Sequence, residues 1–587
     1  MCGILGFYLR RELNENDIIQ GKNLLKDIEY RGPDYTGTSY DKKKGIFIGH
    51  NRLSIIDLSA KSNQPFTNKD SVLAFNGEIY NFKSLRDKYF KKRDFKTTSD
   101  TEVLSFFLNE FKITNLDELD GMFSFCFFKN DKLILANDIF SEKTLYYVNN
   151  HEGVYFCSEA GPLIKLLNLK PSKKTEIKNQ FMSLGYILPP NTGFDNLSVT
   201  TQANLITIKS GKVIANTKYF SFPKLSSENK SFRKLSNMDI KKIKYSIIES
   251  VESRIYSDAN MGIFLSSGID SALVASIMKK ELNVSPLALT ISFNKNSDFN
   301  EAEEAKNISN YLGIDHVIEE ASNINNHNIV EDVINTYNDL NDNTSIILIK
   351  TISNIAKKYF KVAISGNGGD EMFYGYGKHD FFYKYQKLLN SKLWNSILKK
   401  FNTNILFSNK VNLAINLSKY KNYNKVLAIN NFPFMDQEYS EENFFLFDKL
   451  INENQNIFQD FRDFNLNYNL PNSIIQSSEK GSMRESIELR SPFLSRNIMN
   501  IVSCYDYRSL MSLGRKGVLK LILKDYLPDH LILEKKKGFI YPLDYSTTDT
   551  NLRKYKLLKY KKYIHKNYNW KKLLIRKMIY NQINQMY

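Results

Sequence analysis

The sequence predicts α/β architecture of two kinds: an α+β unit of sheets packed with helices, then a parallel sheet covered by helices. Three observations predict it. Up to about residue 200, short apolar segments alternate with Gly and Asn turns, with a few helical stretches between them. From residue 238, longer helical patterns alternate with isolated apolar strands, as in βαβ units whose sheet is buried on both faces. At 587 residues the chain exceeds single-domain size, so two or three cores are expected.

Taken in order, strands are predicted at Gly45–His50, Ser71–Phe75, Met122–Phe128, Lys132–Ala136 and Val154–Cys157. The stretch 221–237 is polar and aperiodic. The predicted division is residues 1–200, a linker over 201–237, and residues 238–587. The second unit opens with a helix at Met238–Tyr256, a strand at Gly262–Leu265 and a helix at Ala272–Glu281. A strand at Leu287–Phe293, a helix at Glu301–Leu312 and a strand at Val362–Ile364 follow. Residues 380–470 are rich in Asn, Lys, Phe and Tyr and read as helical without a motif.

Composition excludes several classes. The chain is 42% apolar, yet no apolar run nears the 18 or so residues of a membrane span. The apolar start Cys2–Leu9 is followed, not preceded, by Arg10-Arg11, which is the wrong order for a secretory signal. Four cysteines make no disulfide framework, and no Cys/His spacing suggests a structural metal, so a reducing cytoplasm is expected. The net charge is +18, and residues 551–587 carry eleven Lys/Arg and no Asp or Glu. That tail reads first as a solvated basic helix, with a patch for an acidic partner or membrane surface as the alternative. No nucleic-acid-binding motif accompanies it, so no nucleic-acid partner is expected.

The chemistry begins at Cys2. With Met1 removed, Cys2 carries both a thiol nucleophile and an α-amine able to serve as its base, with an unperturbed pKa of about 7.7–8.0. Three clusters follow: Gly49-His50-Asn51-Arg52-Leu53-Ser54 with Asn63-Gln64-Pro65, then Phe75-Asn76-Gly77-Glu78, then Ser99-Asp100-Thr101-Glu102. Singly, Asn76-Gly77 reads as a hairpin turn and Ser99-Asp100 as a helix N-cap. Together, over roughly residues 1–190, they resemble the glutaminase domain of class II glutamine amidotransferases. The resemblance implies an N-terminal-nucleophile (Ntn) αββα sandwich. It implies that Cys2 attacks the glutamine side-chain amide, and that Asn76 and the Gly77 N–H stabilise the oxyanion. It further implies that Arg52 grips the substrate carboxylate and Asp100 its ammonium, with Glu78 in the same pocket. One segment departs from the family pattern. Ala136-Asn137-Asp138-Ile139-Phe140-Ser141 stands where Ala-Arg-Asp-x-Phe-Gly is usual.

In the second unit, the strand ending at Leu265 runs into Ser266-Ser267-Gly268-Ile269-Asp270-Ser271 and a helix, a turn able to present N–H groups to an anion. No Gly-Lys-Ser/Thr follows, so it is not a Walker A loop. It resembles the loop of ATP pyrophosphatases. The cluster Ser365-Gly366-Asn367-Gly368-Gly369-Asp370-Glu371, then Glu488-Leu489-Arg490-Ser491-Pro492-Phe493, Lys516-Gly517-Val518 and Lys535-Lys536-Lys537-Gly538-Phe539, resemble the synthetase domain of glutamine-dependent asparagine synthetases. That resemblance implies a doubly wound parallel sheet with a helical extension. It implies ATP contacts at Leu265, Ser266, Ser267, Gly268, Asp270, Ser271, Ile291, Ser365 and Gly366, and Mg²⁺ held by Asp270 and Asp370. Lys536 matches a lysine that stabilises charge on the reacting phosphate. The expected partners are glutamine and a carboxylate acceptor, aspartate or another such as a uronic acid or a peptide. Asn367 and Ser495 replace acidic residues usual in the family, and Glu479 stands for an aspartate, so the acceptor stays open. So does oligomeric state, a homodimer included.

Overall fold

The computed structural model describes residues 2–111, 113–222, 232–292, 300–320, 329–391, 456–532 and 568–586, with Leu417 and Val426 as single positions. Lys536 lies outside the described residues, as do most of 380–470 and much of the basic tail.

The N-terminal half is an αββα sandwich. One antiparallel sheet is built from β1 (Gly3–Leu9), β2 (Tyr35–Asp41), β3 (Ile46–Arg52), β8 (Tyr146–Asn149), β9 (Gly153–Cys157) and β10 (Ser198–Val199), in the order β10-β8-β9-β1-β3-β2. The other contains β4 (Phe66–Asn68), β5 (Ser71–Ile79), β6 (Gly121–Lys129), β7 (Lys132–Asn137), β11 (Asn204–Lys209) and β12 (Lys212–Lys218), in the order β12-β11-β7-β6-β5-β4. Alternate side chains of the two sheets meet in a shared core that includes Ile4, Ile48, Ala74, Cys126, Leu135, Phe156 and Ile206. Helices α1 (Glu15–Lys26), α4 (Ala160–Leu167) and α5 (Thr175–Leu184) cover the first sheet. Helices α2 (Phe82–Tyr89) and α3 (Asp100–Glu110) cover the second.

The expected linker over 201–237 is corrected at its start. β11 pairs antiparallel with β7 and β12 with β11, so the N-terminal sheet runs to Lys218. Ile206 and Ile208 point into the inter-sheet core and hold the hairpin there. β12 is polar and exposed, which is why it reads as loop.

Among its described residues the C-terminal half holds five parallel strands: β13 (Met261–Phe264), β14 (Leu287–Ser292), β15 (His316–Glu320), β16 (Val362–Ile364) and β17 (Glu488–Arg490), in the order β15-β14-β13-β16-β17. Helices α6 (Asn237–Arg254), α7 (Ile269–Lys280) and α8 (Ala302–Leu312) pack on one face, against Ile263, Ala288 and Ile364. After α9 (Ile329–Tyr337), helix α10 (Ser345–Ala356) packs on the other, against Leu289, Ala363 and Leu489. Both faces are therefore apolar, which accounts for the unbroken hydrophobic strands. Chain order reverses between β13 and β16, so the loops after these strands flank a topological switch point. Helices α11 (Gly369–Met372) and α12 (Gly377–Asn390) lead away from it, and the helices Ile457–Phe464, Asn465–Ile475, Gln476–Met483, Arg496–Ser503, Tyr507–Met511, Gly517–Leu523 and Tyr568–Met586 follow in the described part. No helix among the described residues is long and apolar enough to cross a membrane.

Candidate active sites

Cys2 precedes β1, beside the end of β3, because Gly3 pairs with Asn51. Asn76 and Gly77 lie inside β5 of the facing sheet, opposite Ser124 and Phe123, and not in a turn. The Cys2 backbone nitrogen donates to Asn76 Oδ1 at 2.8 Å across the sandwich. With its oxygen so engaged, the buried Asn76 Nδ2 has no acceptor among the described residues. Gly77 has φ +144°, and a Cβ there would meet the Met122 carbonyl oxygen at 2.0 Å, so only glycine fits. Cys2, Arg52, Gly77, Glu78 and Asp100 line one small cavity of about 30 Å³, together with Gln64 and Thr101.

The charges around this cavity are held from behind. Arg52 donates to Ser59 O and Asn63 Oδ1 at 2.8 Å each, and also to Asp57 O, which fixes the loop before β4 around the guanidinium. Asp100 starts α3, where Ser99 caps the helix as the sequence suggests, and its Oδ2 accepts from the Ile79 N–H at 2.9 Å. Burial pushes the Asp100 carboxyl up to about 6, with the Ile79 hydrogen bond opposing. Burial also raises the Cys2 thiol, against the nearby α-amino charge, the Leu53 N–H and Arg52. Thiolate is thus not preformed, and a base has to take the thiol proton. Burial and the neighbouring Glu488 raise Glu78 as well, although Arg490 Nη2 lies 3.1 Å from Glu78 Oε1.

The second candidate site occupies the switch point. A cleft of about 540 Å³ is lined by Leu265, Ser266, Gly268, Asp270, Ser271, Ile291, Ser365, Gly366 and Asp370, nine of the residues expected there. Ser267 is buried beneath the turn and does not line the cleft; its N–H donates to Glu301 Oε2 at 3.3 Å. The Ser266 and Gly268 N–H groups bond Ser271 Oγ and Ser266 Oγ at 3.1 Å each, which shapes the turn at the start of α7. A Cβ on Gly366 would meet Asp270 Cβ at 2.7 Å, so the two loops touch. Phe264, Ile352 and Leu489 add apolar wall. Asn367 also lines the cleft and donates from Nδ2 to Ser478 Oγ at 2.9 Å.

Asp270 and Asp370 converge on one cation. Lys516 Nζ lies 2.5 Å from Asp270 Oδ2 and 2.6 Å from Asp370 Oδ1. Two carboxylates meeting around one positive centre beside a helix-starting turn suit a hard divalent cation. In the sequence Lys516 stands only within the Lys516-Gly517-Val518 motif, with no role attached. The pairing follows from the structure, because a carboxylate as buried as Asp270 demands a counter-charge.

Between the sites lies a buried charge network that sequence patterning does not reveal. Arg31 donates from Nε to Cys2 O at 3.1 Å, from Nη1 to Glu159 at 2.5 Å and from Nη2 to Glu479. Lys480 donates to the other oxygen of Glu159 at 2.9 Å. Burial opposes its ionisation, but Lys480 and Arg31 outweigh that and lower the Glu159 carboxyl to about 2. Arg490 binds Glu488 at 2.6 Å, and its carbonyl accepts from the Ser365 N–H at 2.9 Å. Nearby, the buried Asp138 accepts from the N–H groups of Phe123, Phe140, Glu142 and Lys143, which ties down the departing 136–147 segment.

The glutamine amidotransferase domain profile matches residues 1–220, and the asparagine synthase profile matches residues 242–567. Asparagine synthetase [glutamine-hydrolyzing] 1 of Bacillus subtilis is 27% identical over 577 residues, covering 92% of this chain and 87% of that protein. Amidase chyE of Penicillium rubens is 26% identical over 408 residues, covering 64% of this chain and 59% of that protein. With the asparagine synthase match spanning more than half of the sequence, behind an amidotransferase domain that carries Cys2, the chain belongs to the asparagine synthase family of ATP-dependent amidotransferase ligases.

Proposed function

We propose that the protein transfers the amide nitrogen of glutamine to a carboxylate activated by ATP, with aspartate as acceptor and asparagine, AMP and pyrophosphate as products. The observation that carries the first half is the Cys2–Asn76 pairing, in which the nucleophile's own nitrogen is held and the buried Asn76 Nδ2 donor, next to the cavity-lining Gly77, is left without an acceptor among the described residues. Once Met1 is removed, the Cys2 amine takes the thiol proton as Sγ attacks the glutamine amide carbon. Asn76 Nδ2 and the Gly77 N–H meet the oxyanion. The amine returns the proton to the departing ammonia, and water then releases glutamate from the thioester. Arg52 and Asp100 orient the substrate through its carboxylate and ammonium.

In the cleft, an acceptor carboxylate oxygen attacks the α-phosphorus of ATP and pyrophosphate leaves. Ammonia attacks the acyl carbon of the resulting adenylate and AMP leaves. Asp270 and Asp370 would hold Mg²⁺, which neutralises phosphate charge when bound. Lys516 neutralises the same carboxylates, and the 266–271 turn holds phosphate oxygens. Reaction in a buried interior keeps ammonia from being lost as ammonium.

One observation favours a second acceptor. Asn367 is neutral and bonded to Ser478, and Ser477, Asn343 and Ser345 continue an uncharged polar wall. A relative at similar identity is named an amidase and not an asparagine synthetase. A carboxylate without an α-ammonium, such as a uronic acid or a peptide carboxylate, suits that wall. The deciding experiment incubates the protein with glutamine, ATP, Mg²⁺ and each acceptor and follows AMP and glutamate. Cys2→Ala is to lose glutamine use and keep ammonia-dependent AMP release; equal loss of both in a folded variant overturns the two-site reading. Asparagine formation at ordinary aspartate concentrations excludes the second acceptor. Absent aspartate use that appears in Asn367→Asp supports it.

A further inference from the structure

The helix Tyr568–Met586 belongs to neither site, yet it is not a solvated basic helix. Ile575, Ile579 and Ile583 recur every four residues and are buried in a core shared with Phe181 and Met182 of α5 and Val333 and Ile334 of α9. This helix therefore wedges between the two halves of the molecule. Within its buried stretch sits Arg576, 4% exposed. Its Nε donates to Asp342 Oδ2 at 2.6 Å, and its Nη1 donates to Met182 O at 2.7 Å and Ser183 O at 3.3 Å. Met182 and Ser183 lie in the last turn of α5, where carbonyls lack intrahelical partners. One guanidinium thus joins the end of an N-terminal-half helix to a C-terminal-half loop.

That loop is a wall of the cleft. The Asp342 N–H donates to Gly185 O at 2.7 Å, and Asn341 Nδ2 to Asn472 O at 2.8 Å. Asn343, the next residue, lines the cleft and donates to Ser473 O at 3.0 Å and to Ser477 Oγ at 3.3 Å. Ser345 lines it too, and its Oγ donates to Asn343 Oδ1 at 2.6 Å. The chain of contacts from Arg576 to the cleft is Asp342, Asn343, then the helix Gln476–Met483.

We propose that the C-terminal helix is a strap across the two halves, and that Arg576 is the positioning residue that sets the 341–345 wall of the nucleotide cleft. The inference rests on reading that cleft as the ATP site. A planar fork serves three acceptors on two segments at once, and a lysine, as a point charge, does not.

The test uses the full chain, with Arg576→Ala and Arg576→Lys checked for folding by circular dichroism. Three quantities are read: ATP-Mg²⁺ affinity by calorimetry, kcat/KM for glutamine hydrolysis, and amide hydrogen exchange at Asp342. Arg576→Ala is expected to weaken ATP by about fivefold or more, while glutamine hydrolysis stays within about twofold. Exchange at Asp342 is expected to quicken by about tenfold or more. Arg576→Lys is expected to fall between Ala and wild type on each scale, and it carries the same readouts if Arg576→Ala does not fold. ATP affinity and exchange unchanged in the folded variant, or an equal loss of glutamine hydrolysis, overturn the strap. A wild type that binds no ATP overturns the reading of the cleft instead, and the exchange at Asp342 then decides the strap by itself.

Discussion

Asn137 donates its side-chain amide to Ser141 Oγ at 2.8 Å. Within 136–141 these are the two positions that depart from an otherwise familiar pattern, which has Arg and Gly there. Ser141 adopts φ +60°, which explains glycine there and costs a residue with a side chain about 1–2 kcal/mol. The Asn137 bond offsets part of that cost. In wild type, Ser141→Gly relieves strain but strands a buried donor worth about 1–3 kcal/mol, so the net effect is neutral or destabilising. In an Asn137→Ala background the same change is stabilising by about 1 kcal/mol. Thermal midpoints of the four proteins measure the coupling, and additive shifts contradict it.

Asn76→Asp keeps the oxygen that accepts from Cys2 and removes the Nδ2 donor. It is expected to lower kcat for glutamine hydrolysis by about 10²–10³-fold, the usual cost of one oxyanion donor. Ammonia-dependent AMP release is expected to stay near wild type. A glutaminase loss under tenfold assigns the oxyanion to other donors.

In the proposed reaction Asp100, raised to about 6, has to be ionised to hold the glutamine ammonium. Lowering pH protonates it, so binding weakens on the acid side and is complete above the raised pKa. The Cys2 amine also has to be neutral and supplies its own acid limb at higher pH. The logarithm of kcat/KM for glutamine is therefore expected to steepen from slope one to slope two below about pH 6, and Asp100→Asn to return it to slope one. A profile of unchanged slope in that variant removes Asp100 from the substrate pocket.

Lys516 balances two carboxylates. Lys516→Met leaves Asp270 and Asp370 facing one another in a buried site, and AMP formation is expected to fall about 10²-fold or more while glutamine hydrolysis continues. Asp270→Ala is expected to have the same selective effect. Normal AMP release from Asp270→Ala with little Mg²⁺ requirement takes that residue out of the metal site.

How much of this was legible follows from the range of each signal. Val362–Ile364 and the strand–turn–helix around Ser266–Asp270 are local patterns of period and turn chemistry, and the structure has them within three residues at each boundary. The αββα and doubly wound layers followed from motif clusters whose order was readable. β12 was missed because a polar edge strand looks like a loop until its partner is known. Asn76-Gly77 reads as a turn by itself, whereas the pairing of β5 with β6 extends it. Lys516, Arg31 and Arg576 pair with acidic side chains far away in the chain, from 128 residues for Arg31–Glu159 to 448 for Arg31–Glu479, and no local periodicity encodes such pairs.

The Arg31–Glu159–Lys480–Glu479 cluster draws its charges from both halves and shields all of them from water. Each half is thus incomplete as a separate part: cut away, the first keeps Arg31 and Glu159, and the second keeps Glu479 and Lys480, each pair turned toward a vanished partner. Swapping either half for that of a relative is tolerated only if the incoming surface carries the same signs at the same places. The seam thus limits recombination within the family to exchanges that bring both faces together, and the whole chain is expected to melt as one unit.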